Sequence, residues 1–136
     1  YMCQGLLGTI CQIGWVQGDD FFAYNDNMFL KACEYTSRYN FAALDVPNVP
    51  YTREYKGPHG TAYEEYPVIS ERNAMERPIW ALVYYHYAKI KGVDASKYTY
   101  TEMGLNRNFP EGGGGDYGPN SGGYDTLGFG TLMYAR

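Results

Sequence analysis

Arg77-Pro78-Ile79-Trp80-Ala81-Leu82-Val83-Tyr84-Tyr85-His86-Tyr87 is the stretch from which the fold is read. It joins a proline, tolerated only in a first helical turn, to apolar and aromatic residues at steps of three and four, and it runs on to a glycine suited to end a helix, Gly92. The spacing predicts a helix from about Arg77 to Gly92. At roughly 100° per residue, seven residues return the direction to within about 20°, so Arg77 and Tyr84 fall on one face two turns apart. Tyr87 lies one turn further along that side, and His86 points away from it.

Outward from that helix, Met2, Leu6, Leu7, Ile10, Ile13 and Trp15 recur at helical steps. Gly5, Gly8 and Gly14 let a neighbouring helix approach closely, and Gln17-Gly18-Asp19-Asp20 ends the element. A second helix is expected from about Asp26 to Tyr39, with Met28, Phe29, Ala32, Cys33, Tyr35 and Tyr39 inward, forming a helical hairpin with the first. From Asn40 to Pro67, Pro47, Pro50, Gly57, Pro58 and Gly60, interleaved with Tyr51, Tyr55, Tyr63 and Tyr66, read as one long loop, kept from disorder by its tyrosines. A shorter helix is expected from Ala95 to about Met103. The run from Glu111 to Gly123 cannot be helical, because successive glycines cost too much backbone entropy. Thr126 to Tyr134 reads as a short extended segment. The class that follows is all-α: helical hairpins with long loops and a Gly-rich tail.

Composition narrows the partners. The 136 residues are 45% hydrophobic and 19% charged, which suits one globular domain. Eleven Lys+Arg against fifteen Asp+Glu give a net charge of -4, without the basic excess that neutralises nucleic-acid phosphates. No apolar run approaches the roughly 20 residues of a membrane span. Sixteen tyrosines supply broad faces with hydroxyls, the chemistry that holds flat, hydroxyl-rich ligands such as sugar polymers. Cys3, Cys11 and Cys33 form no metal-ligand spacing and read as buried free thiols. The opening at Tyr1, with no Met and already in the pattern of a buried helix, reads as the start of a fragment.

Candidate chemistry centres on Arg77 and Tyr84. A guanidinium beside a phenol favours the phenolate, lowering a pKa that starts near ~10, as a tyrosine general base requires. Arg77 also suits a bidentate fork on a substrate carboxylate. The same spacing equally describes packing, with Tyr84 and Tyr87 as an aromatic stripe and Arg77 at its edge. His59, in Gly57-Pro58-His59-Gly60, sits on a loop where it either reaches a site or meets solvent. Tyr24-Asn25-Asp26-Asn27 is either a sugar-binding corner, with Asn25 as a contact, or the cap of the second helix. The four-glycine run 112–115 lacks the Lys-Ser/Thr and the helix of a phosphate loop. It reads either as a wall over an extended ligand, with Asp116, Tyr117, Asn120 and Tyr124 as polar contacts, or as a solvated tail. No His/Glu spacing gives a metal site, no cofactor is called for, and no nucleophile triad is legible. The adjacent Glu64 and Glu65 point apart, unlike the pair of a glycoside hydrolase.

Four stretches in this order resemble the carboxyl-terminal part of the alginate-lyase superfamily of polysaccharide lyases. They are Trp15-Val16-Gln17-Gly18-Asp19-Asp20, Asn27 to Asn40 with Leu30-Lys31-Ala32-Cys33-Glu34-Tyr35-Thr36, Arg77 to Tyr87, and Pro110 to Gly123. The resemblance covers most of the chain and treats residues 1–136 as the carboxyl-terminal part of one such domain. It implies an incomplete α/α toroid of helical hairpins and β-elimination on uronate polymers (alginate or glucuronan type) without metal. It implies Tyr84 as proton donor to the leaving glycosidic oxygen and possible C5 base, with Arg77 on the substrate carboxylate. Asn25, His59, Tyr87, Asp116, Tyr117 and Asn120 are the expected substrate contacts. The family's histidine falls in a segment before Tyr1. The partner implied is an acidic polysaccharide, and the location secreted or periplasmic. The competing class is a non-catalytic carbohydrate-binding or structural helical module.

Overall fold

The computed structural model describes residues 2–73, 77–111 and 129–135. Helix dominates these residues, as α1 (Met2–Gln17), α2 (Tyr24–Asn40), α3 (Trp80–Tyr85), α4 (Thr99–Asn108) and α5 (Gly130–Tyr134). Between α2 and α3 stands an antiparallel hairpin of β1 (Tyr51–Gly57) and β2 (Gly60–Tyr66). That hairpin corrects the all-α expectation and replaces much of the long loop. Its Tyr and Thr residues favour a pleated backbone, and Gly57 and Gly60 bracket the Pro58-His59 turn, Gly60 at φ +110°. The prolines that read as loop signals instead mark its approach and its turn.

Helix α1 packs through the glycine face expected to admit a neighbouring helix, and not through its apolar stripe. Gln4, Gly5, Gly8, Cys11 and Gly14 turn inward, while Leu6, Leu7, Ile10 and Ile13 are exposed. Close approach decides this: a Cβ on Gly8 would stand 3.2 Å from Leu82 Cδ2 and 3.5 Å from Phe29 Cζ. The glycine face fits against α2 and α3 where leucines would not. Gln4 carries the polar part of the contact, its Nε2 donating to Ala32 O at 3.3 Å and Thr36 Oγ1 at 2.6 Å.

After α1, Asp20 caps a short 3₁₀ turn (Phe21–Ala23) that drives Phe22 into the core. Helix α2 then opens through three left-handed residues, Asn25, Asp26 and Asn27, at φ +47°, +55° and +58°. Asn and Asp tolerate that region better than other side-chain-bearing residues. Right-handed helix runs only from Met28, so Asp26 pairs with Lys31 at 2.7 Å instead of capping. Phe29, Leu30, Cys33, Ser37 and Tyr39 are buried, whereas Met28 and Tyr35 are exposed. Cys11 and Cys33 are buried free thiols, and burial pushes Cys33 up; Cys3 is exposed, against expectation.

Two carboxylates from distant segments terminate helices. Glu34 on α2 accepts from the Thr101 and Tyr100 amides of α4 at 2.5 and 3.2 Å. Glu111 Oε1 accepts from Trp80 N at 2.6 Å and Ala81 N at 2.8 Å, satisfying amides that an α-helix leaves without partners. Helix α3 therefore begins at Trp80, and it continues as a π turn over His86–Ile90, with Lys91 N donating to His86 O at 2.9 Å. Gly92 follows at φ +62°, matching the expected stop. Helix α4 outruns its expected end at Met103, and the expected extended segment is helical over Gly130–Tyr134, with 126–128 outside the described residues.

The core gathers Phe22, Phe29, Leu30, Cys33, Trp80, Val83, Tyr87 and Leu105 between α2, α3 and α4. Helix α4 approaches Trp80 through Gly104, where a Cβ would stand 2.7 Å from the indole ring. Gly104→Ala is therefore expected to destabilise the fold by about 1–3 kcal/mol despite alanine's better helix propensity, read as a lower urea midpoint.

Glu111 is 5% exposed, and its Oε2 has no hydrogen-bond partner among the described residues. Burial raises its pKa to about 7 against the opposing pull of the Ala81 and Trp80 amides. A carboxyl whose pKa is raised on folding stabilises the fold fully below its unfolded value, and that contribution is lost as pH rises through the folded one. Stability is expected to fall between about pH 4.5 and 7. Glu111→Gln, which keeps the accepting oxygen, should flatten that slope and exceed the parent above pH 7 by an amount of order 3 kcal/mol. Parallel thermal melts from pH 4 to 8 check it; coincident pH slopes would refute it.

Candidate functional site

Tyr84 sits in the last turn of α3, half-buried, where the helix meets α4 and the segment before it. Its hydroxyl donates to Glu102 Oε1 on α4 at 3.1 Å. The rings of Tyr85 and Tyr98 stand edge-on to it, with centroids 5.1 and 5.4 Å away. Burial first, and then the Glu102 carboxylate, push the phenol up to about 12. This reverses the lowering expected from a neighbouring guanidinium. A phenol so placed holds its proton and suits the acid side of acid–base chemistry, not the base side.

Arg77 is not on the helix. It lies three residues before Trp80, in a turn where Ile79 N donates to Arg77 O at 2.9 Å, and its own amide donates to Asn108 Oδ1 at 3.0 Å. The helical periodicity that put Arg77 and Tyr84 on one face fails, because Glu111 caps the helix after Ile79. Arg77 is also 5% exposed. Tyr87, expected to touch substrate, is a core residue at 0% exposure, its hydroxyl spent on Phe22 O at 2.8 Å and its ring edge-on to Phe22. Its seven-residue kinship with Trp80 along the helix reads as packing.

Asn25 is exposed on the left-handed turn that opens α2, and His59 is exposed at the tip of the β hairpin. Asp116, Tyr117, Asn120 and Tyr124 lie outside the described residues, as does the glycine run. Sequence reasoning missed Glu102 and Tyr98, whose contacts with Tyr84 cross between elements and leave no local signal.

A second aromatic surface lies on the hairpin. Directly opposed residues share a face, so Tyr51, Arg53 and Tyr55 stand beside Tyr66, Glu64 and Ala62. Tyr51 and Tyr66 stack at 4.9 Å with 7° between planes, and the Arg53 guanidinium lies 5.9 Å over Tyr55. Nearly the whole hairpin is exposed. Glu64 accepts from the Tyr66 hydroxyl, so it serves that aromatic face. Among the described residues, no group of three or more His, Cys, Asp or Glu side chains is placed to hold a metal ion, and no helix is long and apolar enough to cross a membrane.

No protein-family model, no curated protein and no solved structure matches this chain.

Proposed function

We propose that the chain is part of a polysaccharide lyase that cleaves uronate polymers by β-elimination, with Tyr84 as the general acid. The observation that carries the reading is the Tyr84–Glu102 pair: a half-buried phenol, oriented by a carboxylate and held protonated. In the elimination a base removes the C5 proton, the electron pair forms the C4–C5 double bond, and the C4–O bond breaks as its oxygen takes the Tyr84 proton. A phenol with a raised pKa is well matched to an alkoxide leaving group, which is more basic still. Tyr84 is thereby assigned the acid step alone, and the base belongs to another residue.

Arg77, at 5% exposure, is assigned to supporting the entry to α3 and not to meeting the polymer directly. On this reading α1 with α2 and α3 with α4 are helical pairs of an α/α toroid, acting outside the cytoplasm where such polymers are met. The stacked tyrosines of the hairpin favour a second reading, a carbohydrate-binding module without catalysis. Ultraviolet detection of unsaturated uronate ends, on alginate and on glucuronan, separates the two. New double bonds support the lyase; polymer binding without them supports the module.

A further inference from the structure

Beside the π turn, α1, α3 and α5 enclose a groove of about 310 Å³ lined by Gln12, Trp15, Tyr85, His86, Lys89 and Tyr134 among others. Its size is at the small end of the ~300–1,000 Å³ of ligand pockets, enough for one ring and not for a polymer. The side chains combine three aromatic surfaces, an amide, an imidazole and an ammonium. Lys89 makes no ion pair among the described residues, unlike Lys91, which is held by Asp20. His86 is the unusual member. It is 2% exposed, stacked on Phe22 at 3.5 Å, with the Trp15 ring perpendicular to it at 4.8 Å, and neither ring nitrogen has a hydrogen-bond partner among the described residues.

A buried imidazole with both nitrogens unsatisfied is costly unless something completes it. Burial keeps this one neutral, lowering its pKa to about 4 against the pull of Asp20, so it has one donor and one acceptor to offer. A ligand hydroxyl is the complementary group, since it both donates and accepts. The π turn His86–Ile90 departs from α-helical spacing at the residues that carry the imidazole and the ammonium into this groove, and π turns recur at functional sites.

We propose that this groove is a binding site for a single carboxylated sugar ring, a uronate, whose carboxylate pairs with Lys89 and whose hydroxyls satisfy His86 and Gln12. The choice of a uronate among carboxylated rings rests on the polyuronate reading above. A ligand reaches the buried imidazole by moving the Trp15 ring, which packs against it and lines the same groove, so Trp15 reports occupancy; the other tryptophan, Trp80, is sealed in the core.

The test titrates the chain with glucuronate, glucose and acetate, following tryptophan emission and the imidazole nitrogen resonances of His86. Glucuronate is expected to give a saturable change in both signals and to bind about tenfold tighter than either control, since glucose lacks the charge-assisted contact to Lys89 and acetate lacks the hydroxyls that meet His86 and Gln12. Lys89→Met, a substitution at an exposed position, should weaken glucuronate by about tenfold and leave glucose unchanged. No saturable response in the millimolar range, equal binding of glucose or acetate, or an unaltered Lys89→Met titration overturns the site. Glucuronate binding through Lys89, with no unsaturated ends formed from any polymer by the whole protein of which the chain is part, sustains the site while removing the lyase reading. Unsaturated ends with unmoved Trp15 and His86 signals does the reverse.

Discussion

Tyr84→Phe is expected to lower the rate of unsaturated-end formation by about 10²–10⁴-fold, the range typical of a lost general acid or base. The ring and its edge-on contacts with Tyr85 and Tyr98 remain, so the fold loses only the bond to Glu102, a net cost of about 1 kcal/mol at a half-buried site. Circular dichroism should be unchanged. A companion variant separates the proton from the scaffold: Glu102→Gln keeps an accepting oxygen but removes the negative charge that helps to push the phenol up. Tyr84 should then ionise at lower pH, and the alkaline limb of the activity profile should move down with it. Activity that survives Tyr84→Phe removes Tyr84 from the acid role. An alkaline limb that stays in place in Glu102→Gln assigns that limb to another group.

Trp80→Ala should be the most damaging single change to stability, at about 3–5 kcal/mol, a large share of the ~5–15 kcal/mol that holds a typical domain folded. The indole is 0% exposed, edge-on to Phe41 at 5.3 Å, and shaped to the surface that Gly104 leaves open on α4. Truncation leaves a cavity bounded by two helices and the chain after α2, none of which can collapse into it without moving the Glu111 and Glu34 caps. Trp80→Phe should cost less, because it keeps an aromatic ring in the site. Urea denaturation checks both; a Trp80→Ala midpoint close to the parent's would place Trp80 outside the core.

The candidate site was legible only in part. Tyr84 stands out in the sequence because it lies on a helix among other aromatics, and α3 does carry it half-exposed. Its partner Glu102 is 18 residues away on another helix, so no spacing rule points to it. The link to Arg77 failed for a related reason: periodicity assumes a helix that starts where the pattern starts, while a carboxylate from residue 111 determines where the amides of α3 are capped. The hairpin was more accessible, since Tyr and Thr on both sides of Gly57-Pro58-His59-Gly60 are a strand–turn–strand signal. Its prolines and glycines outweighed that signal when read as one loop.

Local chemistry in the sequence by itself determined a mostly helical chain, the stop at Gly92, and the close approach of a neighbour along Gly8, because these follow from backbone freedom and the presence or absence of a Cβ. Which face of α1 is buried, where α3 begins, and that His86 and Tyr87 are enclosed while Tyr84 is not were decided only by the tertiary structure. An apolar stripe is attracted to any apolar partner, but only a surface of matching shape can hold it. On α1 the glycine side matched and the leucine side did not.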